Sequence, residues 1–145
     1  MKTARFAHRF VDRIPETLDE GVLYVAMDRG TMLHLCACGC RSEVVTPLGR
    51  TDWRMAYDGE AVTVEPSIGN WSLPCRAHYF ISGGAVQWAG AWSDEQVERG
   101  RRRDRQLKAS RSTAIDDGQV ELVGIPESPA PRPRLLTRIA SWFHL

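Results

Sequence analysis

Lysine is nearly missing from this 145-residue chain: of its 19 basic side chains only Lys2 and Lys108 are lysine, and the rest are arginine. Against 18 acidic residues they leave a formal charge of +1, too little for the broad positive field of a general nucleic-acid binder. Long apolar runs are absent too; none approaches the roughly 18–20 residues that a membrane span needs. The opening residues, Met1 to Phe10, hold no apolar stretch of the secretory kind, so a cytoplasmic protein is expected. There is no internal repeat and no His-Glu-x-x-His or other peptidase signature. Cysteine is scarce, four in all, yet Cys36, Cys38 and Cys40 fall within five residues. In a reducing compartment, thiols clustered in this way read as metal ligands before disulfides.

What is present is a globular composition, 43% hydrophobic and 26% charged, of a length that suits one domain with an appendage. Short apolar runs predict strands over Phe6–Val11, Val22–Met27, Thr31–Cys36 and Val44–Thr46. Asp58-Gly59 predicts a two-residue hairpin turn between Trp53–Tyr57 and Ala61–Val64, since both its residues tolerate positive φ. Ser82-Gly83-Gly84 predicts a second hairpin, from His78–Ile81 to Ala85–Trp88. Residues 1–92 are therefore expected to form a mainly β, zinc-bound domain of seven or eight short strands with no long helix. Ser93 followed by Asp94 and Glu95 opens a charged helix over 93–109, weakened by ~1 kcal/mol at Gly100. Residues 110–133, rich in Ser, Asp and Pro, predict a flexible linker. Over 134–145, Leu135, Leu136, Ile139, Trp142 and Phe143 share one face of an amphipathic helix, which either docks on its own domain or binds a partner.

The chemistry concentrates in His34-Leu35-Cys36-Ala37-Cys38-Gly39-Cys40 and Pro74-Cys75-Arg76-Ala77-His78. Zinc prefers four thiolate or imidazole donors in a tetrahedron, and two tight turns that give two ligands each supply it with little chain. Cys38, Cys40, Cys75 and His78 form the favoured set, with Cys36 as the alternative ligand from the first turn. A Rieske iron–sulfur centre would need two histidines and a Cys-x-His spacing that is absent. The cofactor expected is Zn2+. With all four places filled the metal is structural; with one open it is catalytic. The catalytic case would use Glu43 as general base, His34 as acid or base and an unligated Cys36 as nucleophile, with Ser67, Asn70, Trp71 and Ser72 lining the site. Each has a plainer reading: Glu43 on a solvated strand, Ser67 and Asn70 in a turn, Trp71 in packing. The arginine-rich run Arg99–Arg105 is diluted by Asp94, Glu95, Glu98 and Asp104, so no specific nucleic acid is expected.

Several strings taken together, His34–Cys40, Val44-Val45-Thr46-Pro47-Leu48, Thr51-Asp52-Trp53, Pro66-Ser67-Ile68-Gly69-Asn70-Trp71 and Pro74-Cys75-x-x-His78-Tyr79, resemble a small bacterial domain family of unknown function. The similarity covers about residues 5–90; Arg41 and Ala77 depart from it, standing where Gly and Ser are expected. Members of that family sit beside genes for ubiquitin-like proteins and E1- and E2-like enzymes. The resemblance therefore implies a part in a bacterial ubiquitin-like conjugation pathway, with those proteins as partners. Two functions fit. One is a metal-dependent peptidase that processes or removes the modifier, admitting an extended tail beside a sheet edge. The other is a non-enzymatic structural-zinc adaptor for the E1/E2-like proteins or the modifier.

Overall fold

The computed structural model describes residues 1–116. The apolar stripe Leu135, Leu136, Ile139, Trp142 and Phe143, and the linker beyond residue 116, lie outside the described residues. Among the described residues, eight strands form two four-stranded sheets, in the orders β1-β2-β3-β4 and β5-β6-β7-β8. The first sheet holds β1 (Ala7–Phe10), β2 (Val22–Ala26), β3 (Thr31–Leu35) and β4 (Glu43–Pro47). The second holds β5 (Arg54–Tyr57), β6 (Val62–Gly69), β7 (His78–Ser82) and β8 (Ala85–Trp88). The fold is mainly β, as expected.

Alternation along the strands decides how the sheets meet. Leu23, Val25, Met32 and Val44 of the first sheet share one core with Val62, Val64, Ile68, Tyr79 and Ile81 of the second. Two apolar faces thus bury each other, the usual solution for sheets that are apolar on one side. β2 is buried along its whole length because a second, smaller cluster covers its other face, where Leu18 and Ile14 of the connecting segment pack on Val22 and Tyr24. Parallel pairing of β1 with β2 requires that connection, and it doubles as cover.

Three expectations change. The Asp58-Gly59 hairpin is wider than two residues, because Tyr57 pairs with Val62 and Asp58 Oδ1 accepts from the N–H groups of Glu60 (2.9 Å) and Ala61 (2.8 Å). That side chain wraps the loop, an Asx turn competing with the tight turn. The return strand runs on past Val64 to Gly69, through a cis Glu65–Pro66 bond and a shift of register between Val64 and Ile68. The helix, α1 (Asp94–Asp116), has 23 residues and absorbs the first residues expected in the linker. Gly100 does not break it, and its start is fixed by a reciprocal cap: Gln96 N–H to Ser93 Oγ (3.2 Å) and Ser93 N–H to Gln96 Oε1 (2.8 Å).

The longer β6 has a consequence for function. β5 ends at Arg54 opposite Glu65, so Ser67 falls in the irregular segment, and beyond it Ile68 and Gly69 pair with β7 alone.

Candidate active site and metal centre

Ile68 and its partner Tyr79 face the core, so with a period of two the adjacent Gly69–His78 pair and Ser67 face outward. On that outer face Ser67 Oγ lies 2.9 Å from His78 Nε2. The other ring nitrogen, Nδ1, lies 2.8 Å from the carbonyl oxygen of Gly90. A carbonyl only accepts, so Nδ1 carries the proton and Nε2 offers its lone pair to the serine hydroxyl. This is the protonation state that a general base for serine needs. Gly90 is brought there by the end of the β7–β8 ladder, where Ala89 N–H donates to the His78 carbonyl at 2.9 Å.

Aromatic rings hold the imidazole in place. Trp71 packs on His78 at a centroid distance of 4.9 Å, and Trp92 meets its edge at 5.3 Å. The two indoles stack on each other at 5.4 Å and 15°. His78 is left only 7% exposed, so its hydrogen bonds work in a medium poorer in water than the surface. Arg76 ties the walls together: it pairs with Asp94 at 2.7 Å, donates to the Trp92 carbonyl at 3.5 Å and sits 5.9 Å from the Trp71 ring. It does so from a left-handed backbone position, φ 45°.

Gly69 makes room for this arrangement. A Cβ there would overlap the Trp71 indole, which lies directly against the glycine. Gly69→Ala is expected to push Trp71 off His78 with the fold retained. Near-UV circular dichroism and far-UV spectra recorded together check this, the first changing and the second not.

Cys75, three residues before His78, belongs to a thiol cluster. The sulfurs of Cys36, Cys38, Cys40 and Cys75 all fall within 4.8 Å of one another. Tetrahedral zinc with bonds of about 2.3 Å separates its sulfurs by about 3.8 Å. Cys36 lies 3.5 Å from Cys38 and 3.9 Å from Cys75, so the donor set fits such an ion. Both turns are built for it. Gly39, at φ 86°, closes the first through its N–H to the Cys36 carbonyl, and Cys36 N–H donates onward to Ser42. Arg76 N–H to the Leu73 carbonyl, 3.0 Å, closes the second. Asn70 Nδ2 donates to Cys36 Sγ at 3.3 Å, a contact that a thiolate strengthens. Burial pushes the Cys36 thiol up to about 12, while hydrogen bonds from Ser42 draw exposed Cys40 down to about 6.

Several expected site residues stand elsewhere. His78, expected as a ligand, lies outside the four-thiol set, with both ring nitrogens engaged by Ser67 and Gly90. Cys36 belongs to the cluster, and its raised pKa makes it a poor free nucleophile. His34 is fully buried against Phe6, bonded through Nε2 to the Tyr79 hydroxyl at 2.8 Å, and burial holds its pKa down to about 3. It is a neutral core residue with no route to a substrate. Glu43 begins β4, exposed, and among the described residues is hydrogen-bonded to neither Ser67 nor His78. Asn70 bridges Cys36 and the Tyr79 hydroxyl (3.5 Å) and also lines the cavity beside Gly69 and Trp71.

Ser67 as the hydrogen-bond partner of His78, the Gly90 carbonyl and the Trp92–Arg76 brace were not visible in the spacing. One signal was available: four thiols already complete a tetrahedron, which frees His78 for other chemistry, and Ser67 is the hydroxyl in the long Pro66–Trp71 string. Among the described residues no helix is long and apolar enough to cross a membrane. No curated protein and no solved structure matches the chain. A family model does match, that of the bacterial ubiquitination-like system serine protease (BubE), over residues 10–89; this span contains Ser67, His78 and all four cysteines, and the chain belongs to that family.

Proposed function

We propose that this protein is a serine peptidase that cuts at the tail of the ubiquitin-like modifier of its pathway, with Ser67 as nucleophile and His78 as general base. The observation that carries this is the Ser67 Oγ–His78 Nε2 distance of 2.9 Å combined with the Gly90 carbonyl on Nδ1. Support for the pathway comes from the family, and its description as a serine protease agrees with the pair.

The steps follow from the protonation state. Ser67 Oγ attacks the scissile carbonyl carbon while its proton passes to His78 Nε2. The imidazolium formed is held by the Gly90 carbonyl, which replaces the carboxylate found in many triads. As the tetrahedral intermediate collapses, His78 gives the proton to the leaving amine and the C–N bond breaks, leaving an ester on Ser67. Water then loses a proton to His78 and attacks the ester, releasing the new carboxylate and restoring the Ser67 hydroxyl. The balance needs only water.

The four thiols would hold zinc, which supplies structure here. A set of four protein thiolates leaves no coordination place for water or a carbonyl, so the metal-dependent mechanism gives way to the serine one. An adaptor has no need of an ordered serine–histidine pair, and the structural-zinc part of that alternative survives within the peptidase.

A fluorophosphonate probe tests the assignment directly, because it reacts with serines that a base has activated. Mass spectrometry should find the adduct on the peptide containing Ser67, and His78→Gln should prevent it. Absence of an adduct on folded, metal-loaded protein, or an adduct on another serine, overturns the assignment.

A further inference from the structure

A cavity of about 320 Å³ opens between β4 and the end of β6, walled by Val45, Trp53, Gly69, Trp71 and Arg101. Both of its long sides are strand edges with unpaired main chain. On β4, Cys36 N–H donates to the Ser42 carbonyl and Leu48 N–H to that of Gly30. Antiparallel ladders alternate, so Val44 and Thr46 also turn their main-chain groups to β3, while Glu43 and Val45 turn theirs to the groove. On β6, Asn70 N–H donates to the Ala77 carbonyl, so Ile68 and Asn70 face β7. Ser67 and Gly69 then present their main chain to the other side, past the end of β5. The Ser67 carbonyl accepts from Trp53 Nε1 at 3.4 Å on that side, as this alternation requires.

We propose that this groove binds the substrate as an extended strand, hydrogen-bonded to the open main chain of Glu43 and Val45 on β4 and of Gly69 on β6. The inference rests on the Ser67–His78 reading and adds to it the substrate class: a peptide segment that must be unfolded over several residues. Three observations select this occupant. The groove is continuous with the strand that carries the nucleophile. Trp71 is shared, walling the groove and packing on His78. Main-chain groups of Glu43 and Val45 on one side and Gly69 on the other stand beside the Glu43 and Arg101 side chains, which suits an extended peptide more than a compact ligand. Trp53 closes one end, since its own N–H occupies the Pro47 carbonyl.

The test uses a donor–quencher decapeptide carrying the C-terminal tail of the ubiquitin-like protein from the same system, together with a set of peptides N-methylated at one position each. Wild type should cleave the parent peptide and Ser67→Ala should not, which establishes the pair first. Strand addition then predicts a period-two pattern, with methylation at alternate positions raising KM about tenfold or more and the positions between nearly silent. Val45→Pro removes a groove-facing N–H without touching the β3 ladder, and should raise KM about tenfold with kcat within about twofold. A flat methylation profile, with the parent peptide still cut through Ser67, overturns the groove and leaves the pair standing. Failure of wild type to cut the parent peptide or the full-length modifier overturns the pair itself. A chain that sediments as a dimer and that Val45→Pro dissociates would make this edge a subunit interface, and would overturn the groove as well.

Discussion

Ser67→Ala should lower kcat by at least about a thousandfold while leaving thermal stability and metal content unchanged. The size follows from the step removed: without Oγ there is no covalent intermediate, and water must attack the carbonyl without the proximity that the strand gives the serine. Stability should hold because Ser67 stands on the outer face of β6 and its hydroxyl serves His78 rather than the core. His78→Gln should cost a similar factor, since Gln cannot take the serine proton. The pair acts as a unit, so Ser67→Ala/His78→Gln should be no slower than either single variant within about threefold. Rates that multiply instead would mean that the two side chains act in separate steps, contrary to the 2.9 Å contact. Steady-state kinetics on the modifier precursor, with the melting temperature of each variant alongside, decides between them. Asp94→Asn is the graded companion. It breaks an ion pair between a half-buried Arg76 and a largely exposed Asp94, so its effect on stability should be slight, and only loosening of the loop that carries Gly90 could slow the reaction.

Most of the fold was legible because it depends on local alternation. Val62-Thr63-Val64-Glu65 carries its alternation in the residues themselves, and Val22–Ala26 declares a strand by a short apolar run, although nothing local shows that both of its faces are covered. What escaped was long-range or backbone in origin. No local pattern shows that β6 continues through Pro66 after a bulge, yet this is what lifts Ser67 out of a turn and sets it on a strand beside His78. The metal turns were legible for the opposite reason, since Cys-x-Cys-Gly and Cys75 each declare a tight turn. Spacing gave donors in surplus but not which to leave out. It also could not show that a main-chain carbonyl, invisible as a residue type, would claim His78 Nδ1. The length of α1 was missed because its last turns are rich in Ser and Asp, residues that read as linker until a helix is already running into them.

Removing the metal should unfold the protein as well as stop the reaction. The cluster fastens the turn at Gly39 to the turn at Cys75, segments on opposite sheets, and Cys75 lies three residues before His78. Structural zinc binding in small domains amounts to about 10–16 kcal/mol, against a net folding stability of about 5–15 kcal/mol for a domain. The first range meets or exceeds the second, so the apo-protein should lose its near-UV signal at room temperature and melt without a sharp transition. Without the ion, Cys36 would have to stay protonated in the interior, where burial pushes its pKa up to about 12. Cys36→Ser should reproduce the chelated state, and readdition of zinc should rescue the chelated wild type but not this variant. The measurement is metal content, near-UV circular dichroism and peptidase activity on one titration with chelator. The three should fall together. A folded apo-protein without activity would return the metal to the chemistry and take the reaction away from Ser67. A folded apo-protein with full activity would leave the four thiols with no role in holding the site. Ser67→Ala, expected to be folded and fully loaded yet inactive, is the complementary state, which separates the reaction proposed for the serine from the support proposed for the metal.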